Sequence, residues 1–405
     1  RHFLFGVEPW EENFRMTIKV ASLDEPSTGR PLVTAGAMIR FAPPNDLVMP
    51  RDEALMVQAL DLDRLEMIGE PRQLDDRPLL EGSITSTPVV ELSTAPDSDR
   101  MLYAPVDPRP TAFVWLGRDG RQLGESRRQE GSFFQATLSH SGDRVAATRI
   151  EPGGRRALWV YDLGLGSATR VTAPELIPFG AIWSPDDRQI ALTVAEGAAS
   201  SRNAPSLVTV ESGELRRLRE PANRWVVPTS WSTDGRLLVF EELKTGALRD
   251  LGFLSLDEPK EQTGYLATAS DERGAVISPD GRWVAYMSDS SGKAEVYIDS
   301  FPAPSRARRV ASGGEPQQVH FRADGRELYV VATESGEAAL FACELRPGAE
   351  IEIGRPQKLF ALPAEWSALT PAPAGDRFLV LKPIGSRPPA LMLVDSWRAQ
   401  LAGSR

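Results

Sequence analysis

The chain carries a single cysteine, Cys343, in 405 residues, so no disulfide can close within it. That scarcity fits a reducing compartment, and equally an oxidising one in which thiols are avoided. Its three histidines, His2, His140 and His320, stand far apart, with no Cys, His or acidic neighbour at metal-ligand spacing. No apolar run is long enough for a membrane-spanning helix. Basic residues are in deficit: 46 Lys and Arg face 56 Asp and Glu, for a net charge of -10 and a pI of about 5.1. A partner bound through phosphates, whether nucleic acid or anionic lipid, is therefore not expected. Missing too are a Gly-X-Ser-X-Gly nucleophile elbow, a glycine-rich nucleotide loop, a His-Arg-Asp loop and an Asp-Phe-Gly motif. Neither serine hydrolysis nor phosphoryl transfer has its machinery here.

What is present is a repeat. Ser278-Pro279-Asp280-Gly281-Arg282 sets a tight turn, and Trp283-Val284-Ala285-Tyr286 follows it as an alternating strand. The same beat recurs around Gly142, Asp187, Gly235, Gly325 and Gly375, at steps of 44–50 residues. Within each step lie further short apolar runs split by Gly, Pro, Ser and Asp, such as Glu295-Val296-Tyr297-Ile298 and Arg308-Arg309-Val310. A period of about 40–50 residues with four short strands per unit is the pattern of a propeller blade. The first 130 residues keep the beat in a more degenerate form, and Arg118-Asp119-Gly120-Arg121 marks a hairpin turn among them. Nine turn-strand units are counted in all. The expected fold is thus all-β, a single propeller of four-stranded antiparallel blades over residues 1–397, with eight or nine blades. A polar tail, 398–405, would follow it, and a possible helical turn lies near Trp397-Arg398-Ala399. The opening Arg1-His2-Phe3-Leu4-Phe5 reads as mid-blade, as in a fragment of a longer chain.

The chemistry of individual residues is mostly structural. An Asp before Gly in a hairpin is chiefly a backbone acceptor, so Asp186, Asp234, Asp280 and Asp324 are read as turn holders and not as calcium ligands. Cys343 lies in an apolar strand and is read as a small hydrophobe. Arg306, Arg308 and Arg309 read as a solvated face. No metal and no cofactor are expected, and no catalytic residue is assigned. Binding is expected where the copies disagree, in the connections that lead into each innermost strand and gather round one mouth of the channel. There stand Arg224 and Trp225, Glu315, Gln317 and Gln318, and Glu365 and Trp366. The competing reading of the two tryptophans is inter-blade core.

The Ser-Pro-Asp-Gly-Arg-aromatic-Val-Ala-Tyr element resembles the repeat of the periplasmic translocation protein TolB and its relatives. Longer phrases resemble the C-terminal region of bacterial receptor-type serine/threonine protein kinases. These are Leu55-Met56-Val57-Gln58-Ala59-Leu60-Asp61, Val296-Tyr297-Ile298-Asp299-Ser300-Phe301-Pro302 and Val394-Asp395-Ser396-Trp397. The resemblance implies an extracytoplasmic propeller, carried behind a kinase domain and one membrane helix. Such a propeller would bind a protein, peptide or small ligand without catalysis of its own and without inserting into the membrane. The alternatives are an accessory or gating propeller of a prolyl oligopeptidase-type peptidase, and a free periplasmic TolB-like interaction scaffold.

Overall fold

The computed structural model describes residues 2–7, 16–25, 29–35, 39–51, 54–75, 92–94, 100–103, 110–151, 156–196, 203–221, 225–243, 248–257, 262–348, 350–363, 365–385 and 392–399. Regular structure is almost all antiparallel strand, with one short helical turn at residues 397–399. Contacts divide the chain into two compact units. One holds Arg1–Arg109, Glu151–Arg155 and Gly385–Arg405, and the other Pro110–Ile150 and Arg156–Ile384.

The larger unit is a ring of six blades. Blade 2 runs Leu176–Trp183, Gln189–Glu196, Asn203–Thr209, Leu215–Arg217. Blade 3 runs Trp225–Trp231, Leu237–Leu243, Arg249–Ser255, Gln262–Leu266. Blade 4 runs Glu272–Ile277, Trp283–Ser288, Glu295–Ser300, Arg308–Val310. Blade 5 runs Glu315–Phe321, Glu327–Glu334, Glu337–Arg346, Glu352–Leu362. First strands of successive blades approach one another, which makes them innermost. Blades 1 and 6 share one long strand, Gln122–Leu138. Its second half is the innermost strand of blade 1, followed by Arg144–Ile150, Arg156–Asp162 and Ala168–Arg170. Its first half is the outermost strand of blade 6, beside Thr111–Gly117.

Blade 6 closes the ring. Its inner strands, Ser367–Pro371 and Arg377–Pro383, come from the far end of the unit. Its outer strands come from the start, and Thr111 to Gly117 pair residue by residue with Pro383 to Arg377. The spacing groups Met101-Leu102-Tyr103 and Phe113-Val114-Trp115 in one unit, whereas Thr111–Gly117 joins the closing sheet and Arg100–Tyr103 a sheet of the smaller unit. Nine sheets do exist among the described residues if the shared seven-stranded sheet is counted as two, but only six belong to the ring. The expectation of eight or nine blades is corrected to six. Spacing along a chain counts strand groups; it does not say which strand pairs with which.

Six apolar seams follow from face-to-face stacking. Between blades 6 and 1, Phe113 and Phe133 stack at 4.8 Å and Tyr161 meets both edge-on at 5.4 Å. Leu158, Trp183 and Ile190 fill the next seam, and Leu207, Leu238 and Phe240 the one after. Val239, Tyr265 and Tyr286 lie between blades 3 and 4, Val296, Ile298 and Leu328 between 4 and 5. Leu340, Phe360 and Phe378 complete the circle with Val114. Cys343 is buried in the seam of blades 4 and 5, and burial pushes its thiol up to about 11.

The same backbone bond closes the repeated turn in all six blades, and in blades 2, 3 and 4 a serine hydroxyl and an aspartate reinforce it. Gly281 N–H donates to Ser278 O at 2.9 Å, Ser278 Oγ donates to Asp280 Oδ1 at 2.5 Å, and Trp283 N–H donates to Ser278 Oγ at 3.0 Å. Ser184 with Asp186 and Ser232 with Asp234 repeat the hydroxyl–carboxylate bond at 2.6 Å. The fourth turn position is left-handed throughout, and it is glycine (Gly142, Gly235, Gly281, Gly325, Gly375) everywhere except at Asp187 (φ 56°). Asp187 has a second task there. Its carboxylate accepts the backbone N–H groups of His140 and Ser141 at 2.8 Å, capping the turn of blade 1.

The smaller unit contains three sheets among its described residues. They are His2–Val7 with Met16–Ser22 and Arg30–Ala35; Arg40–Ala42, Asp46–Arg51, Ala54–Asp61 and Glu66–Asp75; and Leu92–Thr94, Arg100–Tyr103 and Met392–Asp395. Ile18, Ile39, Leu47, Met49 and Leu60 form its core. Arg398, expected in a polar tail, instead donates to Asp46 Oδ2 at 2.9 Å and lies over the buried Trp397 ring.

Arg118 clamps the closing blade to blade 5. It bonds both carboxylate oxygens of Glu327 at 2.8 Å, the Tyr329 hydroxyl at 2.9 Å and the Gly375 carbonyl at 3.0 Å. Burial raises the Glu327 carboxyl, but the bonds from Arg118, Tyr329 and Arg322 outweigh it and hold Glu327 below the usual range. Arg118→Ala is expected to cost about 2–3 kcal/mol, read as a lower urea midpoint, because it removes the paired donor of a half-buried carboxylate and leaves it only Arg322 and Tyr329. Arg118→Lys should recover less than half, since an ammonium cannot make the paired contact.

Candidate functional site

Four alternating strands per blade bring every innermost strand round in the same direction. Their first residues therefore share one end of the ring, and the Ser-Pro-Asp-Gly turns share the other. At the shared starting end each innermost strand carries one extra residue against its neighbour. The shifts fall at Phe133/Gln135, Phe179/Ile182, Pro228/Ser230, Arg273/Val276, Pro316/Gln318 and Ser367/Thr370. A bulge bends a strand, re-aims its side chains and frees a backbone group from the ladder. In blades 2, 4 and 6 the bulge opens on a left-handed residue: Gly180 (φ 63°), Gly274 (φ 61°) and Ala368 (φ 53°).

The freed groups are met by the blade before. Gly180 N–H donates to Gln135 Oε1 at 3.2 Å, and Gly274 N–H donates to Glu241 Oε2 at 3.1 Å. In blade 5, burial pushes His320 down to about 4, opposed by a hydrogen bond with the backbone of Leu369 in blade 6. His320 is therefore neutral at pH 7 and half-buried between blades, and does not stand open in the channel.

The expected rim residues take these places. Trp225 begins the innermost strand of blade 3, and its ring meets Phe179 of blade 2 edge-on at 4.8 Å. Glu315 begins that of blade 5 and is exposed, and Gln317, also exposed, is the extra residue of its bulge. Glu365 is exposed in the turn before blade 6, while Trp366 packs half-buried on the seam of blades 5 and 6 with Lys382 Nζ 5.9 Å from its ring. Arg224 lies outside the described residues. The five share one end of the ring.

Trp225 belongs to an arc that the sequence reading missed. The Arg156 guanidinium, 8% exposed, lies over Phe134 at 4.2 Å and over Phe179 at 5.1 Å. Phe134 is the extra residue of the blade 1 bulge. Phe134, Arg156, Phe179 and Trp225 thus form a continuous aromatic and cationic strip across the starts of blades 1 to 3. Among the described residues no group of three or more His, Cys, Asp or Glu could hold a metal ion, and no helix is long and apolar enough to cross a membrane.

No family model and no curated protein matches the sequence. Solved structures do. The chain is similar to a putative TolB from Agrobacterium tumefaciens, with a TM-score of 0.56 and 16% identity over 69% of this chain and 99% of that one. The fold is that of a TolB-like β-propeller. Weaker likenesses are TolB from Acinetobacter baumannii (TM-score 0.42, 15% identity, 85% and 78% of the two chains) and an oligogalacturonate lyase in complex with manganese (0.46, 18%, 76% and 81%).

In this TolB-like ring the bulges had a sequence signal that went unread: Gly180-Ala181 and Gly274-Ala275 stand at the same phase of alternate blades. A Cβ on Gly180 would strike the branched Val227 side chain at 2.3 Å, whereas one on Gly274 meets the flexible end of Met287 at 2.5 Å. Gly180→Ala is therefore expected to cost about 2–4 kcal/mol, from left-handed strain plus overpacking. Gly274→Ala should cost about 1–2 kcal/mol, and Ala368→Gly should be neutral or gain up to about 1 kcal/mol. Urea unfolding of the three variants checks the order.

Proposed function

We propose that the chain is a non-catalytic binding module that takes a protein, peptide or small ligand at the end of the ring where the innermost strands start. The observation that supports this most is the Phe134–Arg156–Phe179–Trp225 strip. There the half-buried rings of Phe134 and Trp225 edge the rim, held against the buried Arg156 and Phe179. Rings and arginine of this kind supply most of the energy at binding interfaces. Exposed Glu315, Gln317 and Glu365 supply polar contacts on the blades opposite. The Ser-Pro-Asp-Gly end, by comparison, spends its carboxylates on its own backbone.

The kinase phrases extend the reading. The propeller would be the extracytoplasmic sensor of a bacterial membrane-anchored serine/threonine protein kinase, passing ligand occupancy to an enzyme carried elsewhere in the polypeptide. Sequencing the gene upstream of Arg1 tests that part: a kinase domain and a membrane helix are required, and finding neither removes it.

The binding reading has its own test. Peptide, peptidoglycan-fragment and oligosaccharide panels titrated against tryptophan fluorescence should yield a ligand whose affinity falls at least about tenfold in Trp225→Ala. Asp280→Asn, at the opposite end, should leave that affinity unchanged. A ligand that ignores Trp225, Glu315 and Glu365 alike would place binding elsewhere.

A further inference from the structure

The seam between blades 3 and 4 holds two carboxyl groups at its rim end, both largely removed from water. Glu272, the first residue of blade 4, is 2% exposed. Its Oε1 accepts the Thr268 hydroxyl at 2.5 Å, and its buried Oε2 has no hydrogen-bond partner. Across the seam, Glu241 on the second strand of blade 3 accepts Gly274 N–H. Two guanidiniums stand close by, Arg249 from blade 3 and Arg273 from blade 4. Both are taken by Asp271, at 3.3 and 3.2 Å. Glu272 is left with the neutral donors of Thr268 alone and no ion pair.

An ionised carboxylate in that position would have an unsatisfied buried oxygen, which is costly. Its charged surroundings add to the cost. Asp250 from blade 3 and Asp271 beside it both repel a negative charge at Glu272. Tyr286, from the second strand of blade 4, also faces it; burial first, then the charges of Asp299 and Glu272, resist ionisation of its phenol. A neutral acid has none of these conflicts. We propose that Glu272 is a protonated, uncharged carboxylic acid in the folded chain, and that its ionisation loosens the blade 3–4 seam, making it an alkaline-sensitive catch at the rim. Burial, Asp250 and Asp271 raise its affinity for the proton, with the Thr268 bonds opposing. Burial raises that of Glu241 in the same way, with Arg249 and the Gly274 bond opposing.

The element this catch would release is specific. The Thr268–Glu272 bond closes the short connection into the innermost strand of blade 4, where Asp271 N–H is held by Asp289 and Arg249 N–H by Asp271. Losing the proton would turn a self-contained corner of the rim into one that must admit water.

The sign follows from linkage. The folded chain keeps the Glu272 proton at a pH where the unfolded chain has released it, so the stabilisation is whole below the ordinary glutamate range, near 4.5, and is lost as pH rises through the folded value. Glu272→Gln mimics the neutral acid and has nothing to release. The melting temperature of the full chain should therefore fall, relative to Glu272→Gln, by at least about 2 °C between pH 4 and pH 8. Parallel curves for the two proteins would overturn the proposal. A second measurement does not depend on that variant folding: in a Glu241→Gln background, infrared difference spectra at pH 6 should show the carbonyl stretch of a protonated carboxylic acid. Its disappearance on raising the pH supports the catch, and its absence at pH 6 overturns it.

Discussion

The ring depends on one constraint: every sheet must bury both faces against a neighbour, including the first and the last. A row of six twisted sheets cannot meet that condition, because its two outer faces would stay wet. Closure can, and the chain achieves it by building one sheet from strands of both ends of the unit. The seven consecutive pairs between Thr111–Gly117 and Arg377–Pro383 turn the row into a circle. Phe113 and Phe133 then bury on one side of that sheet while Val114 and Phe378 bury on the other. Arg118 adds direction to the apolar contact, since its fork fits only when blades 5 and 6 are in register.

Much of this was legible in the sequence because turn chemistry is local. Ser, Asp and Gly at fixed offsets set the turn whatever lies beyond it, and the same backbone bond closes all six copies even where the serine is missing. Asp187 shows the limit of that legibility. It stands where the other copies have glycine, and its carboxylate holds the preceding turn through two N–H groups forty-odd residues away. Blade number failed for the same reason. Phe113-Val114-Trp115 is a strand by pattern, but its partner at Leu379–Leu381 is fixed by the geometry of closure, which no short window contains.

The rim divides along the same line. Phase alone put Trp225, Glu315 and Glu365 at one end, where they are. It gave no hint that Arg156 from the third strand of blade 1 would settle among Phe134 and Phe179, because that meeting needs two bulges and two blade–blade contacts. The bulges themselves are where local propensity yields to the ring: Ala368 holds a left-handed conformation that only its neighbours enforce. Glu272 is the opposite case, a residue that pattern would leave on the surface at a strand start and that the seam buries instead.

The 17-residue strand from Gln122 to Leu138 serves two blades without a break. Seen from the ribosome, it sets an order of events. Blade 1 can pair its own strands as soon as residue 170 has emerged, but the hairpin of Thr111–Gly117 must carry an open edge until Pro383 arrives. Blades 2 to 5 stack meanwhile on a platform whose first face has no cover. The final step is one long-range zipper, of the high contact order that slows folding, and it locks all six seams at once. The growing chain is thus most exposed to edge-to-edge pairing just before the ring closes, and least exposed immediately after.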